Sequence, residues 1–378
     1  MSQPLRVVQL LPALESGGVE RSTLEIAEAL VEAGHHSVVA SAGGRLVEPL
    51  LATGSTHVDL DLGRKSPWTL RHIVSLRRLF EQLEPDIVHA RSRLPAWVCW
   101  WALAGMRGRR PHFVTTVHGL NSPGHYSSIM TRGERVICVS ETVRDYVLQH
   151  YPEVSARKLQ TIPRGVDPDH FSHGYVPDAE WRDRFAQDFP QLAGGRLLTL
   201  PGRGTRLKGH AEAITLLARL HAAGIDARLL LLGAGDEERG HYLDELWDEA
   251  RRQGVADVMA ISPPRSDVRE VLAHSALVLQ LSTKPEAFGR TVLEALSLGR
   301  PVLGFDHGGV GEQLREWFPQ GAVPLGDATR LAVRAIELLR FPPRLAPIKG
   351  PTKAAMQAST LALYREVAGH ALVGAGHG

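Results

Sequence analysis

Short apolar runs alternate along the chain with stretches whose apolar residues recur at helical spacing. Residues 5–11, 36–41, 86–89, 112–117 and 135–139 predict buried strands, and residues 20–33, 67–83, 95–106 and 141–151 predict helices between them. Strands that are apolar throughout, joined by helices, imply a parallel sheet covered on both faces. The rhythm breaks over residues 152–191, a polar stretch bearing prolines that reads as a linker with some local helix. A second series follows, with strands at 197–200, 228–232, 257–261, 277–281 and 301–304. Its helices fall at 210–223, 242–253, 266–273, 291–298 and 329–339. The expected architecture is α/β, two tandem Rossmann-like doubly wound domains, the first over residues 1–170 and the second over 171–350. Ligands of such sheets bind beyond the carboxyl ends of the strands, so the expected active site is the cleft between the two domains.

A length of 378 residues agrees with two domains, and 43% hydrophobic with 22% charged residues is ordinary for a globular chain. The net charge of +2 gives no reason to expect nucleic acid. Cys99 and Cys138 are the only cysteines. They have no metal-type spacing and cannot form a disulfide framework, so a reducing compartment is the simpler reading. The apolar run Val7, Val8, Gln9, Leu10, Leu11 breaks at Pro12 and leads into Glu15 and Gly17-Gly18, which suits a buried first strand rather than a signal peptide. The longest apolar stretch, residues 94–106, is too short to span a membrane and is bounded by Arg93 and Arg107. The chain is therefore expected to be cytoplasmic, with a disordered glycine-rich tail after Ala368.

The strongest chemical constellation follows the strand at 277–281 and opens a helix. It reads Pro285-Glu286-Ala287-Phe288-Gly289-Arg290-Thr291-Val292-Leu293-Glu294. Gly289 lets a ligand approach the backbone closely. The N–H groups of Arg290 and Thr291 lie where a helix start binds phosphate. Glu294, about one turn into the helix, is placed to bond vicinal ribose hydroxyls, and Glu286 stands outside the helix, facing a sugar. The bland alternative is an amphipathic helix with two solvated acids. At the other end of the chain, Gly17-Gly18 closes the first strand before a helix, where backbone N–H groups line a phosphate or simply make a turn.

Two glutamates separated by seven residues, with Phe288-Gly289 between them, resemble the signature of retaining glycosyltransferases of family 4, which have the two-Rossmann GT-B fold. The likeness extends over nearly the whole chain. Gly17-Gly18-Val19-Glu20-Arg21 resembles the family's Gly-Gly-x-Glu loop, Thr116-Val117-His118-Gly119 its histidine segment, and Val139-Ser140-Glu141 its Val-Ser segment. Gly202-Arg203 followed by Lys208-Gly209-His210 resembles the basic donor-phosphate motif. Gly299-Arg300-Pro301-Val302 and Gly308-Gly309-Val310-Gly311-Glu312 keep the family's order. The resemblance implies that His118 and Glu286 meet the donor sugar while Arg203 and Lys208 stabilise the charge that develops on the leaving diphosphate. It further implies donor binding by Gly17, Gly18, Ile261, Ser262, Phe288, Gly289, Arg290, Thr291 and Glu294. A C-terminal helix, about 352–370, is implied to cross back to the first domain. No cofactor and no metal are expected, because these cations and the helix start supply the positive field. The nucleotide sugar, most simply a UDP-hexose, is a substrate. Two departures stand out. Pro163-Arg164-Gly165-Val166-Asp167 has arginine where the family has asparagine, so no role carries over to Arg164. Ala260-Ile261-Ser262-Pro263-Pro264 replaces the family's Gly-rich turn.

Other classes fit less well. A nucleotide-sugar epimerase shares the architecture without needing an acceptor, and a non-catalytic nucleotide-sugar-binding protein would share the polar groups. A glycogen-type phosphorylase needs a longer chain. A dehydrogenase would have to use Gly233-Ala234-Gly235-Asp236-Glu237-Glu238, which lacks the third glycine and adds three acids. The acceptor signal lies between Arg64 and Arg110, where ten Lys or Arg face three Asp or Glu and Trp68, Trp97, Trp100 and Trp101 occur. Residues 86–97 resemble glycosyltransferases of the lipopolysaccharide core, whose acceptors are phosphorylated and membrane-held. The expected partners are therefore a nucleotide-sugar donor, a glycan or lipopolysaccharide-core acceptor, and the anionic inner-membrane surface on which the enzyme docks peripherally. A solvated basic face over core tryptophans is the alternative.

Overall fold

The computed structural model describes residues 3–15, 17–235 and 240–369. They divide into two compact units, one that ends at Arg164 and resumes at Lys353, the other Gly165–Thr352. Asp236, Glu237 and Glu238 of the dehydrogenase-like loop, and the tail beyond Gly369, lie outside the described residues.

The first unit contains a seven-stranded sheet of β1 (Arg6–Leu10), β2 (His36–Ser41), β3 (Thr56–Asp59), β4 (Ile87–Ala90), β5 (His112–Val117), β6 (Arg135–Cys138) and β7 (Leu159–Thr161). All its pairs are parallel, in the order β3-β2-β1-β4-β5-β6-β7. The connections carry α1 (Gly18–Glu32), α2 (Val47–Ala52), α3 (His72–Leu83), α4 (Arg93–Ala104), α5 (His125–Ser128) and α6 (Glu141–His150). The central strands are apolar because helices cover both faces. The pattern misses β3 and β7 for a local reason. No residue of β3 is buried, and only Leu159 of β7 is, so neither strand leaves a periodic signal. β7 corrects the reading of residues 152–191 as linker, since it forms one edge of this sheet.

The second unit contains a six-stranded sheet of β8 (Arg196–Pro201), β9 (Ala227–Leu232), β10 (Met259–Ile261), β11 (Leu277–Gln280), β12 (Val302–Phe305) and β13 (Ala322–Val323). Its order is β10-β9-β8-β11-β12-β13, again parallel. Its helices are α7 (Ala179–Asp188), α8 (His210–Ala222), α9 (Gly240–Arg252), α10 (Val268–His274), α11 (Arg290–Ser297), α12 (Gly308–Trp317) and α13 (Ala328–Arg340). α12 begins Gly308-Gly309-Val310-Gly311, a poor helix former, which is why the pattern does not announce it.

The last helix, α14 (Lys353–Val367), belongs to the first unit. Met356, Leu361, Leu363 and Tyr364 pack with Leu5, Ile26, Leu30 and Ile87 in one buried cluster. Lys353 pairs with Glu28 at 2.6 Å, and Gln357 Nε2 donates to the carbonyl of Glu25 at 2.7 Å, tying α14 to α1. No helix among the described residues is long and apolar enough to cross a membrane. Each strand order reverses direction once, between β1 and β4 in the first sheet and between β8 and β11 in the second. Reversal splays the connections apart, so each sheet has a crevice at the carboxyl ends of those two strands.

Candidate active site

In the second unit, the loops after β8 and β11 meet at that crevice. Gly209 has φ +77°, and a Cβ on it would stand 2.1 Å from the carbonyl oxygen of Leu281. Only glycine lets the turn after β8 lie this close to the end of β11. Leu207 accepts from the N–H of Thr283 at 2.9 Å, closing the same approach. The turn delivers Lys208, whose Nζ donates to Glu286 Oε1 at 2.7 Å with both side chains about a quarter exposed. Ser282 donates from its hydroxyl to the same oxygen. Arg203 is exposed and makes no side-chain hydrogen bond among the described residues.

The Glu286 loop is itself held from α12. The Gly309 N–H donates to the Glu286 carbonyl at 2.7 Å, and Gln313 Nε2 donates to the carbonyl of Phe288. A Cβ on Gly308 would come within 2.6 Å of the Glu286 oxygen, and one on Gly309 within 2.5 Å of Phe288 Cα. The glycines that weaken α12 as a helix are thus what lets it seat against the loop. Gly289 caps α11 in the left-handed region at φ 85°, so the N–H groups of Arg290 and Thr291 begin the helix as expected. Gln280 Nε2 holds the Thr291 hydroxyl at 2.9 Å, Phe288 is buried, and Glu294 is 3% exposed on the inner side of α11. Ile261 is half-buried. The Ser262 hydroxyl is buried and accepts from the Gly233 N–H at 3.3 Å, which braces the turn after β9.

In the first unit, Gly17 caps α1 and Gly18 opens it; β1 already ends at Leu10, so the pair starts the helix rather than closing the strand. Arg164 joins this loop to β5. Its Nη1 donates to the Gly18 carbonyl and its Nη2 lies 2.6 Å from Nδ1 of His118. A guanidinium only donates, so Nδ1 is the acceptor and the imidazole proton sits on Nε2. Next to it runs a buried chain: the Tyr364 hydroxyl bonds His89 Nδ1 at 2.6 Å, and His89 Nε2 bonds Thr116 Oγ1 at 2.6 Å.

Residues 16–170 match the family model described as Glycosyltransferase Family 4, and residues 182–349 match Glycosyl transferases group 1. A glycosyltransferase from Rickettsia africae superposes with a TM-score of 0.84 at 26% identity, over 97% of this chain and 99% of that one. The chain is a GT-B glycosyltransferase. N-acetyl-alpha-D-glucosaminyl L-malate synthase of Bacillus anthracis is 25% identical over 288 residues, which is 72% of this chain and 70% of that protein. Anabaena HepE, solved with UDP and glucose, shares the fold of this glycosyltransferase with a TM-score of 0.76 at 19% identity, covering 97% and 98% of the two chains.

Reading the sequence locates the glycosyltransferase motifs but not what supports them. Arg164, to which no role carried over, turns out to orient His118. Ser282, His307 and Gln313 brace the Glu286 loop, His307 through Nε2 at 2.8 Å from the Ser282 carbonyl. A signal for some of these exists in the sequence. Polar residues that directly follow apolar strands, such as Arg91 after β4 and Ser282 two residues after β11, stand at the ligand-binding edge of a parallel sheet. Two Asp-x-Asp triplets also occur, Asp59-Leu60-Asp61 and Asp167-Pro168-Asp169, and each has a carboxylate that caps a turn. Asp61 Oδ1 accepts from Arg64 N at 3.2 Å, and Asp167 Oδ1 accepts from Asp169 N at 3.0 Å and His170 N at 3.3 Å.

Burial, reinforced by Arg91, pushes His89 well below the usual histidine range. Burial does the same to His118, helped by Arg164, Arg91 and His89. His210, fully buried at the start of α8, is lowered by burial to about 4. A histidine held neutral by the fold contributes stability above its unfolded value near 6.5 and loses it as pH falls towards its folded value. The melting temperature should therefore drop between pH 7.5 and pH 5, and the drop should be smaller in His210→Gln. Calorimetric melts of both proteins across that range check this; a slope unchanged in His210→Gln would remove His210 as a contributor.

Proposed function

We propose that this glycosyltransferase moves a hexose from a UDP-sugar to a glycan or glycolipid acceptor of the cell envelope, in lipopolysaccharide core synthesis, with retention of the anomeric configuration and without a metal. The contact of Lys208 with Glu286 at 2.7 Å carries the reading. It sets a cation and a carboxylate together at the crevice of the nucleotide-binding sheet, beside the start of α11. When a glycosidic bond to a diphosphate breaks, negative charge grows on the diphosphate oxygens. Lys208, the exposed Arg203 and the N-terminal end of α11 stabilise that charge without reorganising. Bound diphosphate competes with Glu286 for Lys208 and leaves the carboxylate to the sugar hydroxyls. Glu294, on the same helix, takes the ribose. The UDP and glucose in Anabaena HepE favour uridine and a hexose.

The membrane is the second part of the proposal. Within the basic region, Trp97 is 6% exposed and its indole N–H donates to the Tyr126 carbonyl at 3.0 Å, so it belongs to the core. Arg77 lies against Gly105, Arg109 pairs with Asp86, and Arg110 donates to the Met106 carbonyl. These three cations serve the fold. The exposed set is different: Trp68 at 77%, Leu70 and Val74, with Arg64, Lys65, Arg71 and Arg78 around them. Arg71, Val74 and Arg78 recur at helical spacing on one face of α3 and the turn before it. Each such cation near anionic lipid contributes about 1 kcal/mol, and an indole favours the headgroup region.

Transfer from UDP-glucose to a core-lipid acceptor should keep the anomeric configuration, read by NMR of the product, and should survive excess chelator; strict metal dependence or inversion would sink the reading. Glu294→Ala should weaken UDP binding by on the order of 1.5–3 kcal/mol, the worth of hydrogen bonds to a charged acceptor, while Glu286→Ala binds UDP nearly as wild type and loses turnover. Calorimetry with UDP alone separates them, and equal UDP affinity in both variants would show that Glu294 is misplaced. Liposome co-sedimentation should require anionic lipid, fade with salt, and drop when Trp68, Arg71 and Arg78 become Ser. Equal binding to neutral vesicles would rule out electrostatic docking.

A further inference from the structure

The first unit holds a small cavity at the crevice between β1 and β4, its wall mainly apolar with a cluster of polar side chains. Its volume, about 20 Å³, admits one or two water-sized groups and not a sugar ring. Ser22, His89, Arg91, Thr116, His118 and Arg164 supply its polar wall, and most of the remainder is aliphatic.

The donors and acceptors of that wall do not balance. Arg91 is 4% exposed. Its Nε donates to Gln9 Oε1 at 2.8 Å and its Nη1 to Ser22 Oγ at 3.3 Å, both neutral partners, and its Nη2 is buried with no partner among the described residues. His118 receives Arg164 on Nδ1, so its proton is on Nε2, and Nε2 is also buried without a partner among the described residues. The hydroxyls of the wall have spent their hydrogens or are already engaged, and none reaches Nη2 of Arg91 or Nε2 of His118. Ser22 gives its hydrogen to the Val19 carbonyl at 3.0 Å, Thr360 gives its own to Met356 at 2.8 Å, and Thr116 is engaged by His89 at 2.6 Å. No Asp or Glu lines the space. The Tyr364 hydroxyl hydrogen-bonds the Arg91 guanidinium and the Glu25 carboxylate on α1 attracts it, both from outside the space. A guanidinium cannot shed its charge, and a buried charge calls for a countercharge. The cavity thus offers two N–H groups and positive charge to an acceptor.

We propose that this cavity is a subsite for an oxyanion, a carboxylate or phosphate group carried by one of the two substrates, bound by Nη2 of Arg91 and Nε2 of His118. Arg164 is a positioning residue that fixes the imidazole. The proposal rests on the glycosyltransferase reading and adds that one substrate is anionic beyond its diphosphate. A neutral hydroxyl also accepts a hydrogen bond, but it brings no countercharge into the cavity, and Glu25, which attracts Arg91, lies outside it.

The test uses the full chain and Arg91→Met, which keeps the length of the side chain and removes its charge. UDP binding by calorimetry comes first, because it reports the donor site in the second unit. Its absence from wild type would count against the glycosyltransferase reading rather than the cavity. Acetate and inorganic phosphate are then titrated into ¹⁵N-histidine-labelled protein. The Nε2 signal of His118 should shift in wild type and not in Arg91→Met. Two further arms find the source. If the donor carries the anion, wild type binds UDP-glucuronate at least tenfold more tightly than UDP-glucose, and Arg91→Met abolishes the preference. If the acceptor carries it, glucose 6-phosphate is used at least tenfold better than glucose in a UDP-release assay, with the same loss in the variant. Lower melting temperature with all three anion readouts unchanged makes Arg91 purely structural and overturns the proposal. Should Arg91→Met not fold, Arg91→Lys replaces it. That variant keeps the charge and loses the fork, so the anion preference should fall, and a preference equal to wild type overturns the proposal.

Discussion

A parallel sheet brings the carboxyl ends of all its strands to one edge, and the chemistry of this glycosyltransferase depends on that constraint. Both sheets reverse their strand order once, and each reversal opens a crevice at that edge. In the first unit it lies between β1 and β4, which lead into Gly17-Gly18 and Arg91. In the second it lies between β8 and β11, which lead into Lys208 and Glu286. Residues far apart in the chain become neighbours there because strand direction, not sequence distance, decides where each loop emerges.

Glycine supplies the closeness in the second unit. Gly209 lets one loop touch the end of β11, and Gly308 and Gly309 let α12 rest on the Glu286 loop, each where a Cβ would collide with backbone. The cost is helix propensity at the start of α12. What offsets it is tertiary: buried Val310 and Leu314, and the hydrogen bonds from Gly309 and Gln313 into the loop. The Lys208–Glu286 pair then forms between elements that are already fixed.

The first unit works by polar burial instead. Tyr364, His89 and Thr116 form a closed hydrogen-bonded chain under the crevice, which satisfies each group inside an apolar core. Tyr364 comes from α14, so the last helix of the sequence completes the interior of the first sheet. Arg91 and His118 stand at the end of this network, where its hydrogen bonding is incomplete. A fully apolar core would be simpler to build; a buried guanidinium with one nitrogen left unpaired suits a place that an acceptor can reach.

Local pattern alone determined much of this molecule. Alternating apolar runs and helical periodicity announce two parallel α/β units, because strands buried on both faces are mostly apolar. The spacing of Glu286 and Glu294 around Gly289 places them on either side of a helix start, since that geometry is local to a dozen residues. Tertiary structure alone decided the rest. β3 and β7 exist because neighbouring strands recruit them, and their own residues are too exposed to show it. Trp97 and Trp68 look alike in a basic segment, yet one is core and the other surface, because only packing assigns them sides. Arg164 reads as a departure from a motif until folding sets it against His118 and Gly18. Contacts between residues distant in sequence have no local signature, so hydrogen-bond partners, burial and the charge balance of a cavity appear only once the chain has closed on itself.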